Sequence, residues 1–191
     1  MSTMTRTPRA FDTTAPTYRW NRSWPAYWAA GWIGAFCGLV LLVAGYNQLF
    51  RGMPLDVGGK IALFATGLRL FTVAIALAAV QSWGRRLPGW LVFAGLCGVA
   101  AAQLLYPLAE TTVKLAILVG VVQPFGKGIS NMSAEGWFNF GAAWLIWGVP
   151  GVLFAAAAVS FKRRYAVSAL GAALGLLGGA AALLALGFII G

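Results

Sequence analysis

An all-α fold, a polytopic bundle of five transmembrane helices, is what this chain predicts, and three features predict it. Apolar stretches occupy about residues 27–50, 60–83, 89–109, 138–161 and 167–191, each at or near the ~20 residues that a helix needs to cross ~30 Å of hydrocarbon. Of the 191 residues, 60% are hydrophobic and 9% charged, more apolar surface than a water-soluble domain of this size can cover. The basic residues between the stretches fall mostly on one side.

That asymmetry sets an orientation. With the N-terminus inside, the inner side carries Arg6, Arg9, Arg19, Arg22, Arg85, Arg86, Lys162, Arg163 and Arg164, and the outer side only Arg51, Lys60, Lys114 and Lys127. Positive loops are retained in the cytoplasm, so the expected topology in a bacterial plasma membrane is N-terminus cytoplasmic, C-terminus outside. A sixth span through residues 108–125 would put Lys162, Arg163 and Arg164 outside, and is rejected. The net charge of +10 has its cause in this rule, and nucleic acid is not an expected partner.

Residues 1–26, rich in Thr, Pro and Arg, lack apolar periodicity and read as a flexible basic arm. The single membrane bundle begins at residue 27. The first span is too long for a signal-peptide core and has no small-residue cleavage site after it. Trp20, Trp24, Trp28 and Trp32 mark its entry every four residues, with Pro25 near the first turn, where a missing N–H does least harm. With Trp83 and Trp90 at the same level and Trp137 at the other, they form the aromatic belts of a membrane protein. Gly34 and Gly38 offer a close-packing face.

The second span carries Arg69, the one charge near the middle of a stretch. Such a group usually faces a bundle interior or water. The third span leads through Pro107 into the outer connection 110–137, which holds Glu110, Lys114 and Glu135 and is apolar from 115 to 122. This connection is expected to be a re-entrant or interfacial helix, or a kinked continuation of the third span. Arg69 is expected to pair with Glu110 or Glu135 beneath it, forming a polar pocket. The plainer alternative is a snorkelling Arg69, with Glu110 and Lys114 as an i, i+4 helix pair.

In the fourth span, Trp144 and Trp147 lie too deep for head groups to meet their indole N–H, so they should face other helices or a cavity. Pro150 should kink this helix and release a backbone carbonyl. The fifth span is Ala, Leu and Gly, with Gly171, Gly175 and Gly179 as a second small-residue stripe. Its neighbour lies in the same chain or in another subunit.

Chemistry is bounded by scarcity. There is no His, and the acids are only Asp12, Asp56, Glu110 and Glu135, which removes the usual general base and the commonest transition-metal ligand. Cys37 and Cys97, at similar depth, are read as small packing residues. No metal site, phosphate-binding glycine loop or nucleophile elbow is present, and no cofactor is expected.

The segments 23–34 (SWPAYWAAGWIG), 82–91 (SWGRRLPGWL) and 137–158, with Trp144, Trp147, Pro150 and Gly151, resemble those of small polytopic actinobacterial membrane proteins of unknown function, over about residues 23–160. The resemblance implies no activity, cofactor or catalytic residue. The expected function is therefore non-catalytic. The chain would serve as an accessory subunit of an envelope complex or as a binder of a lipid or hydrophobic small molecule, with the bilayer and a protein partner or second copy around it. Ligand-pocket candidates are Arg69, Glu110, Lys114, Glu135, Trp144 and Trp147. The alternative is a small intramembrane enzyme acting on a lipid or isoprenoid, with Glu110 or Glu135 as proton donor and Arg69 holding an anion. A transporter is the weakest option, since no inverted repeat appears.

Overall fold

The computed structural model describes residues 23–124 and 126–190, the side chains of 186–190 excepted. The proposed arm therefore lies almost wholly outside the described residues. Six α-helices follow one another: α1 (Trp24–Phe50), α2 (Val57–Ala78), α3 (Gly89–Leu118), α4 (Ala134–Ala143), α5 (Val149–Arg164) and α6 (Ala169–Ile190). A π turn, Trp144–Gly148, joins α4 to α5 without a break in the helical rod, and 3-10 turns at Ser82–Arg86 and Gly128–Ser130 punctuate the connections. No strand occurs among the described residues. Four segments are long and apolar enough to cross a membrane: α1, α2, α3 and the rod Ala134–Arg164.

Caps, rather than the edges of the apolar stretches, decide where helices begin. Asp56 accepts a hydrogen bond from the Gly59 N–H at 2.7 Å, so α2 starts three residues before the apolar run at residue 60. Ser133 does the same for Gly136 at 3.3 Å, starting the fourth rod at Ala134 instead of residue 138. Side-chain oxygens at these N-caps satisfy N–H groups that the first turn leaves bare. At its other end α2 stops at Ala78, and residues 82–83, expected within the span, belong to the 3-10 turn. Gly52, at φ +60, turns the chain out of α1, and the Met53 N–H closes on the Asn47 carbonyl at 3.1 Å.

The outer connection resolves as a continuation. Residues 110–118 are the last turns of α3, which runs through Pro107 to Leu118 as one element. Between Val119 and Ser133 the described residues hold only the 3-10 turn Gly128–Ser130, so this stretch contains no separate re-entrant helix. At 1.5 Å per residue α3 is about 45 Å long, beyond a ~30 Å hydrocarbon layer, and it must tilt or project.

Helices α1 and α2 form a hairpin whose α1 strut leans on α5. Helix α3 lies at the centre, flanked by α5 and α6. The core is built from Ala26, Ala29, Ile33 and Cys37 of α1, Phe93, Leu96 and Ala100 of α3, and Phe154, Ala157 and Phe161 of α5. Phe93 and Phe161 stack with centroids 6.5 Å apart.

Helix α6 packs along α3 in parallel register, and glycine makes the approach possible. A side chain at Gly175 would run into the Ala94 carbonyl, and one at Gly179 into the Gly98 carbonyl, while Gly171 lies against Trp90 and Phe93. Gly34 and Gly38, with the same spacing, have nothing within 4 Å of a Cβ. Removing the side chain lets two backbones meet at van der Waals distance, which is how helices associate where no water drives them together.

Gly179→Val should therefore strip α6 from α3 and cost about 1–3 kcal/mol, the usual penalty of overpacking. Gly178→Val, next along the same helix with open space around it, should change thermal stability in detergent by less than about 0.5 kcal/mol. Equal losses from the two would contradict this packing.

Candidate functional site

Pro150 has no N–H to give, and the chain adjusts around it. In a regular helix the Leu145 carbonyl would receive the Val149 N–H, but in the π turn that N–H reaches back one residue further, to Trp144. The next N–H in π register would be that of Pro150, which is missing. The Leu145 carbonyl thus loses its helical donor in the middle of the rod. The indole N–H of Trp32 on α1 donates to it at 3.2 Å. The carbonyl expected to be released by Pro150 is thereby identified, and Trp32, expected in the belt with Trp24 and Trp28, instead ties α1 to the fourth rod.

A π turn inserts one residue and re-aims the side chains around it. Trp144 turns to α3, where its indole N–H donates to Thr111 Oγ1 at 3.0 Å, and Thr111 in turn donates to the Pro107 carbonyl at 2.6 Å. Gly148 lacks the Cβ that would collide with the Trp144 indole. Trp147 turns to the α1–α2 hairpin.

There it meets Arg69. The guanidinium carbon sits 4.2 Å from the Trp147 ring centroid and 4.7 Å from that of Phe36, so the planar cation is clamped between two aromatic faces. Arg69 lies about 18 Å along α2 from Val57 at 1.5 Å per residue, and Phe36 and Trp147 are near the middles of their own rods. The cation is held at mid-depth. Among the described residues it has no ion pair and no hydrogen-bond acceptor, although a guanidinium carries five N–H donors.

The pairing of Arg69 with Glu110 or Glu135 is not the arrangement found, because the acids are engaged at the far end of the bundle. Glu110 and Lys114, each 2% exposed, form an ion pair at 3.6 Å, one turn apart on α3. Lys114 Nζ also donates to the Asn131 carbonyl at 2.5 Å and faces the rings of Trp137 and Phe140 at 5.1 and 5.8 Å. Glu110 Oε2 is buried without a hydrogen-bond partner among the described residues. Glu135 is exposed in the first turn of α4, where a negative charge suits the helix dipole. The i, i+4 spacing of Glu110 and Lys114 was legible in the sequence. Its burial was not, because that depends on Asn131, Trp137 and Phe140 closing around Lys114.

The candidates thus divide into an aromatic clamp (Arg69, Trp147, with Phe36 unforeseen), a tie between rods (Trp144) and a lock at one end of the bundle (Glu110, Lys114). Glu135 stands apart. A cleft of about 620 Å³ opens at the opposite end from the lock, lined among others by Tyr27, Arg85 and Arg164. Cys37 and Cys97 are free thiols buried in the same core, Cys37 reaching the Thr66 carbonyl at 3.8 Å. Against known proteins the chain matches no family model, no curated protein and no solved structure.

Breaking a buried pair by removing one partner leaves the other charge uncompensated. Lys114→Met should accordingly lower stability by about 3–5 kcal/mol, measured by thermal unfolding in detergent. Glu110→Leu combined with Lys114→Met should recover most of that loss. A double variant no better than the single one would show that the lock is not the cause.

Proposed function

We propose that this chain is a non-catalytic, multi-pass component of a bacterial plasma membrane that docks with another integral subunit of an envelope complex through Arg69. In this reading α6 is the fifth span, the N-terminus and the Arg85 and Arg164 end face the cytoplasm, and the C-terminus lies outside. Helix α6 supports it by length, about 33 Å at 1.5 Å per residue, by its uninterrupted apolar sequence, and by running parallel to α3.

The observation that carries the proposal is a cation fixed at mid-depth with no anion. A charge at a helix centre costs about 2.5–3.5 kcal/mol on insertion scales. Two aromatic faces return about 2 kcal/mol each when desolvated, which is enough to keep Arg69 in place. The rings bring no negative charge, however, and leave the edge donors of the guanidinium without acceptors. A carboxylate on a neighbouring transmembrane helix would supply both. Among the described residues of a second copy, the acids Asp56, Glu110 and Glu135 are at the start of α2, in the buried pair with Lys114 and at an exposed helix start, away from that depth.

The intramembrane-enzyme alternative needs Glu110 or Glu135 beside Arg69. Glu110 is instead committed to Lys114, and Glu135 is at an exposed helix start. This separation favours the docking role over proton transfer to a substrate anchored by Arg69.

A photo-reactive residue at Ala65, one turn from Arg69 on the same face of α2, should cross-link in native membranes to one protein whose apolar helix contains Asp or Glu. Arg69→Leu should cut that product more than about thirty-fold, as losing one side of a buried charge pair does. Cross-linking to lipid alone, or a yield unchanged by Arg69→Leu, would sink the proposal.

A further inference from the structure

The end of the bundle opposite the Glu110–Lys114 lock holds a cleft of about 620 Å³ where α1, α2, α3 and α5 terminate together. Its charge is one-sided. Among the described residues Arg85 and Arg164 line it and no carboxylate does, and Arg86, Lys162 and Arg163 are their chain neighbours. All three acids in the described residues, Asp56, Glu110 and Glu135, are at the other end or on its connections.

The cationic groups are placed differently. Arg164 is anchored: its Nη2 donates to the Ala79 carbonyl at 3.3 Å and its Nε to the Ser160 carbonyl at 3.3 Å, while its guanidinium faces the Phe161 and Tyr165 rings. It thus serves the carbonyl ends of both α2 and α5, the two negative helix ends in the cleft. Arg85, on the 3-10 turn, is exposed. Gly84 beside it sits so close to the Ala78 carbonyl that no side chain fits, which pins this turn over the end of α2 and holds Arg85 at the cleft.

Two further features add positive potential. The first turns of α1 and α3 both open into the cleft, through Ser23 and Tyr27 and through Gly89. Helix starts favour an anion. Of the remaining lining, Phe161, Tyr165, Leu87 and Val80 are aromatic or aliphatic and Gln81 is polar, and exposed Trp28, Trp83 and Trp90 belong to the same end. A cationic recess with apolar walls at the level of interfacial tryptophans matches an amphiphile whose anion is its head.

We propose that this cleft binds the phosphate of an anionic lipid head group from the leaflet on the basic side, with Arg85 as its direct partner and Arg164 holding the wall. The site is independent of Arg69 and of any docking subunit. The test uses the full chain in nanodiscs of phosphatidylcholine with a minor fraction of phosphatidylglycerol, released into native mass spectrometry to read which lipid stays bound.

Retention of phosphatidylglycerol over phosphatidylcholine is expected, reduced about five-fold or more by Arg85→Gln. Arg86→Gln, with the same charge change one residue outside the lining, should leave it within about two-fold. Gln81→Trp, which fills the mouth and keeps every charge, should abolish it. Equal losses from the two arginine variants would overturn the proposal, since they would mean diffuse attraction to an anionic surface. Inorganic phosphate in millimolar excess should fail to displace the lipid, because acyl contacts add to the head-group bond, and displacement would overturn the lipid as the source.

Discussion

Water is absent from hydrocarbon, so every polar group lodged at the middle of these helices must find its partner in protein. Much of the interior arrangement follows from that. Pro150 cannot donate, the π turn shifts the remaining bonds by one residue, and the Leu145 carbonyl so exposed recruits the Trp32 indole. The same turn sends Trp144 to Thr111 and Trp147 to Arg69. A single missing N–H thereby fixes how the fourth rod meets both the α1–α2 hairpin and α3. Arg69 completes the pattern by being its exception, a cation cushioned by rings but not neutralised.

The two ends of the molecule solve different problems. At one, Glu110 and Lys114 are sealed together beneath Asn131, and burial there stabilises only while both charges remain. At the other, Arg85 and Arg164 line a cleft with no carboxylate among the described residues, where two helices start and two end. The charge imbalance from which the topology is proposed is also the basis of the anion site proposed at that end. Between them α3 and α6 meet backbone to backbone at Gly98, Gly175 and Gly179.

The helices were legible because apolar length is a property of the sequence alone. Their ends were less so: Asp56 and Ser133 start helices several residues before the hydrophobic runs, since a cap satisfies N–H groups whatever follows it. Spacing showed what packing was permitted, not what was adopted. Gly171, Gly175 and Gly179 of α6 pack against α3, whereas Gly34 and Gly38 with the same interval face open space. The Arg69 site was half visible. Its lone mid-span charge and the depth of Trp147 could be read from the chain, but Phe36 could not be singled out among apolar neighbours, and the π turn that aims Trp147 arises from tertiary fit around Pro150. The basic cleft left no motif at all, because its lining comes from helix ends far apart in sequence.

The central claim is that Arg69 awaits an anion from another chain. The most direct measurement is an electron cryo-microscopy structure of the protein extracted with its own lipids and partners. The account predicts a carboxylate from a second transmembrane subunit within about 4 Å of the Arg69 guanidinium, with Phe36 and Trp147 still on its faces. An Arg69 paired with Glu110 or Glu135 of its own chain, or drawn out to the head groups with only acyl chains around α2, would contradict it.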